Sequence, residues 1–162
     1  MNQTNQNRSE KSIIKTLTII HFMICAVVLV FGTVIIFITE NAQINFADTE
    51  DSFFYLVPLF AICGAFVSQY LFQKLLNDVH AQATLKDKLT KYQSSKVIQY
   101  ALIEAPAFLG IVICLITTNQ FYLIISAALL AYLIFLRPTT ATIKEDLNLN
   151  SEQERTFREL TK

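Results

Sequence analysis

Apolar residues gather along the chain into four long blocks separated by polar stretches. The first, TLTIIHFMICAVVLVFGTVIIFI (residues 16–38), runs 23 residues without a charge. The second, FFYLVPLFAICGAFVSQYLF (residues 53–72), has 20, and the third, residues 97–117, has 21 with Glu104 as its sole charge. The fourth, FYLIISAALLAYLIFL (residues 121–136), has 16. A helix rises about 1.5 Å per residue and a bilayer's hydrocarbon core is about 30 Å thick, so the first three blocks span comfortably. The fourth suffices only if it stands nearly upright. The pattern predicts an all-α polytopic membrane protein with four transmembrane helices, at about 14–38, 53–76, 96–117 and 120–136, in a compact antiparallel bundle.

The polar stretches predict less structure. Residues 1–12, MNQTNQNRSEKS, are low in complexity and read as a disordered tail. In the segment 77–95, Leu85, Leu89 and Tyr92 recur at helical spacing with Lys86, Lys88 and Lys91 on other faces. That pattern suits an amphipathic helix lying on the membrane, or a solvated helical hairpin over the bundle. Ser94 or Ser95 is then placed to cap the third span. The four-residue link TTNQ makes the third and fourth spans neighbours. After Arg137 and Pro138, which end the fourth span, residues 138–162 form a tail. In it Ser151 and Glu154 stand at capping-box spacing before a short helix bearing Phe157 and Leu160. Small residues four apart, as at Ala61 and Ala65, Gly64 and Ser68, Ala101 and Ala105, and Ala127 and Ala131, favour close helix approach.

Charge turns this layout into a topology. The 13 Lys and Arg lie in the N-terminal tail, between the second and third blocks, or after the fourth. The segment TENAQINFADTEDS between the first two blocks carries Glu40, Asp48, Glu50 and Asp51 and no basic residue. Four spans with all basic residues on one side put both termini in the cytoplasm. Tyr55 and Tyr122 fall near the outer ends and Tyr70, Tyr92, Tyr100 and Tyr132 toward the inner side, as interface anchors would. The first block exceeds a signal-peptide core and precedes no small-x-small cleavage site, so a retained helix is expected. The cysteines, Cys25, Cys63 and Cys114, lie inside spans and imply no disulfide framework.

Candidate chemistry centres on YALIEAPAFLG (residues 100–110), where Glu104 and Pro106 interrupt an apolar helix. A charge at a membrane helix centre costs about 2.5–3.5 kcal/mol, and Glu104 lies about 12 Å beyond Lys96. Counting inward from Lys15, Lys74 and Arg137 places His21, Ser68, Gln69 and Tyr132 about 8–9 Å deep. With Tyr100, they form an expected intramembrane polar layer at roughly the depth of Glu104. Pro106 lacks the N–H that would bond the Leu102 carbonyl, so a helix kink is expected there, and another at Pro58. Three readings stay open. Glu104 can be protonated interhelical glue; with His21 it can bind a proton, cation or small solute; or it can meet a partner's helix. His21 and Cys25, four apart near the depth of Cys63, form too sparse a set for a metal or haem site. No phosphate-binding loop, nucleophile–base motif or carboxylate cluster appears, so neither enzyme activity nor a cofactor is expected, nor nucleic-acid binding.

Two stretches, ALIEAPAFLGIVICLIT (residues 101–117) and LRPTTATIKEDLNL (residues 136–149), resemble a group of short four-helix membrane proteins of Bacteroidota-type bacteria. That group carries a Glu-small-Pro element in its third helix and Arg-Pro-Thr after its fourth. The resemblance implies a bacterial inner membrane and no specific activity. The third block is also loosely similar to the acid-bearing helix of rotary ATP synthase proteolipids. The chain departs from that pattern, having three glycines and no Gly-x-Gly-x-Gly run, so their ion-binding role is not carried to Glu104. The functional expectation is a non-enzymatic packing or partner-binding component of the inner membrane, as homo-oligomer or with another membrane protein. The alternative is an oligomeric proton- or ion-coupled permease using Glu104 and His21.

Overall fold

A computed structural model describes residues 3–39, 43–46, 51–78 and 83–160, with side chains from residue 8 onward. The described residues form helices α1 (Gln3–Ile38), α2 (Phe53–Asn77), α3 (Leu85–Thr117), α4 (Phe121–Phe135), α5 (Thr140–Leu147) and α6 (Ser151–Leu160). Glu40, Asp48, Glu50 and His80 lie outside them. Three helices, α1 from Arg8, α2 and α3, are long and apolar enough to cross a membrane. The α4–α5 pair makes a fourth only as one span bent by 78°. Alone, the 15 residues of α4 reach about 22 Å.

α3 is the axis of the fold. α1, α2 and α4 each pack along it, and α4 also meets α1 and α2, whereas among the described residues α1 and α2 have no extensive contact with each other. Close approach has local causes. A Cβ added to Gly64 of α2 would lie 2.8 Å from the Leu102 carbonyl oxygen and 3.0 Å from Pro106 Cγ. The carbonyl freed by Pro106 therefore faces the notch that Gly64 leaves. On the opposite flank the buried Ser126 hydroxyl lies 2.8 Å from the Ala107 carbonyl and 3.0 Å from that of Tyr122, tying α4 to α3.

Helices α1 and α3 begin well before the expected starts of their spans. α1 begins at Gln3, within the stretch expected to be disordered. α3 begins at Leu85, where the Thr84 hydroxyl accepts the Asp87 N–H at 3.2 Å. The third span is thus not capped by Ser94 or Ser95, whose hydroxyls donate within the helix to the Thr90 and Lys91 carbonyls. Nor does the amphipathic segment form a separate surface helix. Leu85, Leu89 and Tyr92 are buried in the core cluster that also holds Ile143, Leu147, Phe157 and Leu160. The tail supplies this cap: α5 packs on α3, and α6 reaches α1. Docking gives the apolar faces of α3 and α6 a protein partner and brings α6 against α1.

Local signals set the tail helices. A Thr139–Thr142 capping box opens α5. The α6 box is Asn150 and Gln153, with Gln153 N–H donating to Asn150 Oδ1 at 2.8 Å, one residue before the expected Ser151–Glu154 pair. At the other end, Thr118 turns the chain in the left-handed region (φ 54°). Asn119 there exchanges two 3.0 Å hydrogen bonds with Asn45, and the Tyr122 hydroxyl donates to Asp51.

Between these ends lies an exposed apolar belt including Phe22, Phe31, Phe37, Phe60, Phe66 and Phe135, the last 87% exposed. A soluble monomer rarely exposes more than a few hundred Å² of contiguous apolar surface. Lipid is the solvent this belt matches.

Candidate functional site

The residues of the expected polar layer separate into individual contacts. His21, 2% exposed, lies with Nε2 2.9 Å from the Leu133 carbonyl oxygen. A carbonyl only accepts, so Nε2 carries the proton of that bond. Nδ1 is buried with no hydrogen-bond partner among the described residues. The Tyr100 ring meets His21 edge-on at 5.1 Å, and its hydroxyl donates to the Leu136 carbonyl at 3.1 Å. Both side chains thereby fasten α1 and α3 to the last turn of α4. Ser68 is buried but donates within α2, to the Ala65 carbonyl at 2.8 Å. Tyr132 is partly buried against the core. Pro58 and Pro106 both sit inside continuous helices.

Glu104 stands apart from these pairs. It is partly exposed, and no hydrogen bond or ion pair reaches its carboxyl among the described residues. It borders a stripe of α3 formed by Ile98, Ala101, Ala105 and Val112, all exposed. The stripe is left open because α1 and α2 flank α3 without closing over it. Glu104 lies on its α1 side, within electrostatic reach of Cys25. Pro106, two residues on, turns inward to Gly64 instead. The two residues that break the apolar run therefore serve different surfaces.

The connected polar network lies nearer the basic end, and only Gln69 of the expected set belongs to it. Gln99 Nε2 donates to Gln69 Oε1 at 2.9 Å, and Gln99 Oε1 accepts from Lys96 Nζ at 3.1 Å. Lys96 is buried, with its ammonium 4.0 Å from the Phe72 ring centroid and 4.0 Å from Asp146 Oδ2. The Tyr92 hydroxyl donates to the same Asp146 oxygen at 3.1 Å. This chain of contacts joins α2, α3 and α5. Lys96 was readable only as a membrane anchor, because its counter-charge comes from a helix the sequence pattern did not reveal.

The cap carries a second cluster. Lys144 and Arg158 donate to Glu154 Oε1 at 2.9 and 2.7 Å, and these bonds hold the Glu154 carboxyl below its ordinary value. No group of three or more His, Cys, Asp or Glu side chains among the described residues is arranged to hold a metal ion. The chain matches no protein family, no curated protein and no solved structure.

Proposed function

We propose that this chain is a non-catalytic integral component of a bacterial inner membrane that binds another transmembrane helix along the open stripe of α3. In this reading the chain crosses four times with both termini in the cytoplasm. Arg8, Lys11, Lys15, Lys74, the lysines of early α3 and the basic residues after α4 then share the inner side. The short α4 crosses at a modest mismatch cost, of order tenths of a kcal/mol per Å.

One observation carries the partner-binding role: Glu104 has no hydrogen-bond donor among the described residues and borders Ala101 and Ala105 on an uncovered face. A carboxyl group left to lipid is expensive, and a donor from a neighbouring helix offsets that cost. The two alanines allow the backbone approach that such a bond requires. The permease reading rests on the buried Nδ1 of His21, which meets no hydrogen-bond partner among the described residues.

Cross-linking tests the proposal. Ala105→Cys, in a Cys63→Ser background, is expected to form an inter-helix adduct in native membranes. Glu104→Gln, which still hydrogen-bonds, retains the adduct; Glu104→Leu, which suits lipid and leaves the monomer folded, depletes it. The mass of the adduct tells a second copy from another protein. Absence of any adduct, or equal yields with and without the Glu104→Leu change, refutes the proposal. A pH-driven flux in proteoliposomes that Glu104→Gln abolishes would favour the permease.

A further inference from the structure

A polar cleft of about 420 Å³ opens where the end of α2, early α3 and the α5–α6 turn converge. Asn77, Lys88, Asp146, Asn148 and Asn150 line it, with Leu76 and Leu147 at its edge. It lies apart from Glu104 and owes nothing to the partner-binding reading.

The charges in the cleft do not balance. Asp146 is already engaged by the Tyr92 hydroxyl at 3.1 Å and by Lys96 at 4.0 Å. Lys88 is only 4% exposed, and its ammonium donates to the neutral Gln153 Oε1 at 3.0 Å. Gln153 is held in that orientation because its Nε2 donates to the Ala83 carbonyl at 3.0 Å. No carboxylate of the described residues forms an ion pair with Lys88. The one carboxylate lining the cleft is thus offset by Lys96 from outside it, which leaves Lys88 as a single uncompensated positive charge with two further N–H donors. Burial of an ammonium against one neutral acceptor is costly, and an anion in the cleft would offset it.

Three asparagines line the same cleft. Asn150 uses its Oδ1 to cap Gln153, which leaves its NH₂ group. Asn148 occupies a left-handed position (φ 42°) at the α5–α6 turn and lines the cleft with Asn150. Asn77 ends α2 on the opposite wall.

We infer that the cleft binds a phosphate-type monoanion, with Lys88 supplying the charge and Asn77, Asn148 and Asn150 supplying amide donors. A phosphodiester headgroup and a free phosphate present the same chemistry, and the single surplus charge matches either one.

The test follows thermal unfolding of the full chain in detergent micelles, with inorganic phosphate in one arm and dihexanoyl phosphatidylglycerol in the other. Sodium chloride at matched ionic strength is the control. A Tm rise with both ligands assigns the site to the phosphate group itself, and a rise with the lipid alone assigns it to a headgroup. Lys88→Met is expected to weaken the response about ten-fold or more, from loss of a charged hydrogen bond. Asn148→Gly keeps the left-handed turn without strain, removes one amide and weakens binding several-fold, so it serves even if Lys88→Met does not fold. The inference fails if neither ligand raises the wild-type Tm. It also fails if Asn148→Gly, and Lys88→Met where folded, respond as the wild type does.

Discussion

Replacing Gly64 by alanine tests whether the α2–α3 contact depends on close backbone approach. The new methyl carbon would lie 2.8 Å from the Leu102 carbonyl oxygen and 3.0 Å from Pro106 Cγ. The first neighbour is backbone and cannot swing aside, so the helices must separate by a few tenths of an ångström. Overpacking of this kind costs about 1–3 kcal/mol. Alanine also raises helix propensity by up to about 1 kcal/mol, which would mask part of that cost. Gly32→Ala supplies the matched control, because its methyl would meet only Ile111 Cδ1, at 3.9 Å. Both variants gain the same propensity, so the difference between them isolates the contact. That difference should be about 1–3 kcal/mol, or about 2–12 °C in Tm for a chain of this size. The assay follows labelling of the buried Cys114 by a thiol-reactive fluorophore during heating, with Cys63, exposed on α2, changed to serine. Pro106→Ala should restore part of the loss in the Gly64→Ala chain, since it removes the ring contact but leaves the carbonyl. A Gly64→Ala protein as stable as Gly32→Ala would refute the reasoning.

Two further outcomes concern the cap. Phe157 is fully buried there, so Phe157→Ala should cost about 3–5 kcal/mol and release α5 and α6. Limited proteolysis should then cut between residues 138 and 160 faster than in the wild type; an unchanged rate would count against the docked cap. The Glu154 carboxyl is held below its ordinary value of 4.5 by hydrogen bonds from Arg158 and Lys144. Its contribution is therefore present above the ordinary value and is lost as pH falls through the depressed one. Acidification below 4.5 should loosen α6, as read by the same proteolysis, and Glu154→Gln should flatten that dependence.

The apolar blocks were legible because a membrane helix must bury its own backbone hydrogen bonds within one contiguous run. The first three coincide with α1, α2 and α3, and the fourth with the shorter α4. The apolar face Leu85–Leu89–Tyr92 was legible too, yet not what covers it. Its cover is the tail, more than fifty positions away, and no local pattern encodes that docking. For the same reason nothing in the local pattern marked Lys88 and Lys96 as buried. Tyr92, Tyr100 and Tyr122 read as interface anchors because of their depth. Each instead sends its hydroxyl to an acceptor inside the chain: Asp146, the Leu136 carbonyl and Asp51. Depth along a helix can be counted from sequence, but the direction a residue faces depends on which helices become neighbours. Glu104 shows this most clearly. Its depth grouped it with His21, while the packing of α1 and α2 against α3 left it bordering an open stripe.

The central position of α3 has a consequence for biogenesis. A ribosome delivers α1 and α2 to the bilayer first, before the rod they both lean on exists. Among the described residues they have no extensive contact with each other, so each waits as a nearly independent insert. The acceptor for His21 lies 112 positions downstream, and the surface that fills the Gly64 notch belongs to α3. Tertiary assembly therefore begins only when α3 emerges, and a nascent chain that stalls before it leaves two unmated inserts rather than half a protein.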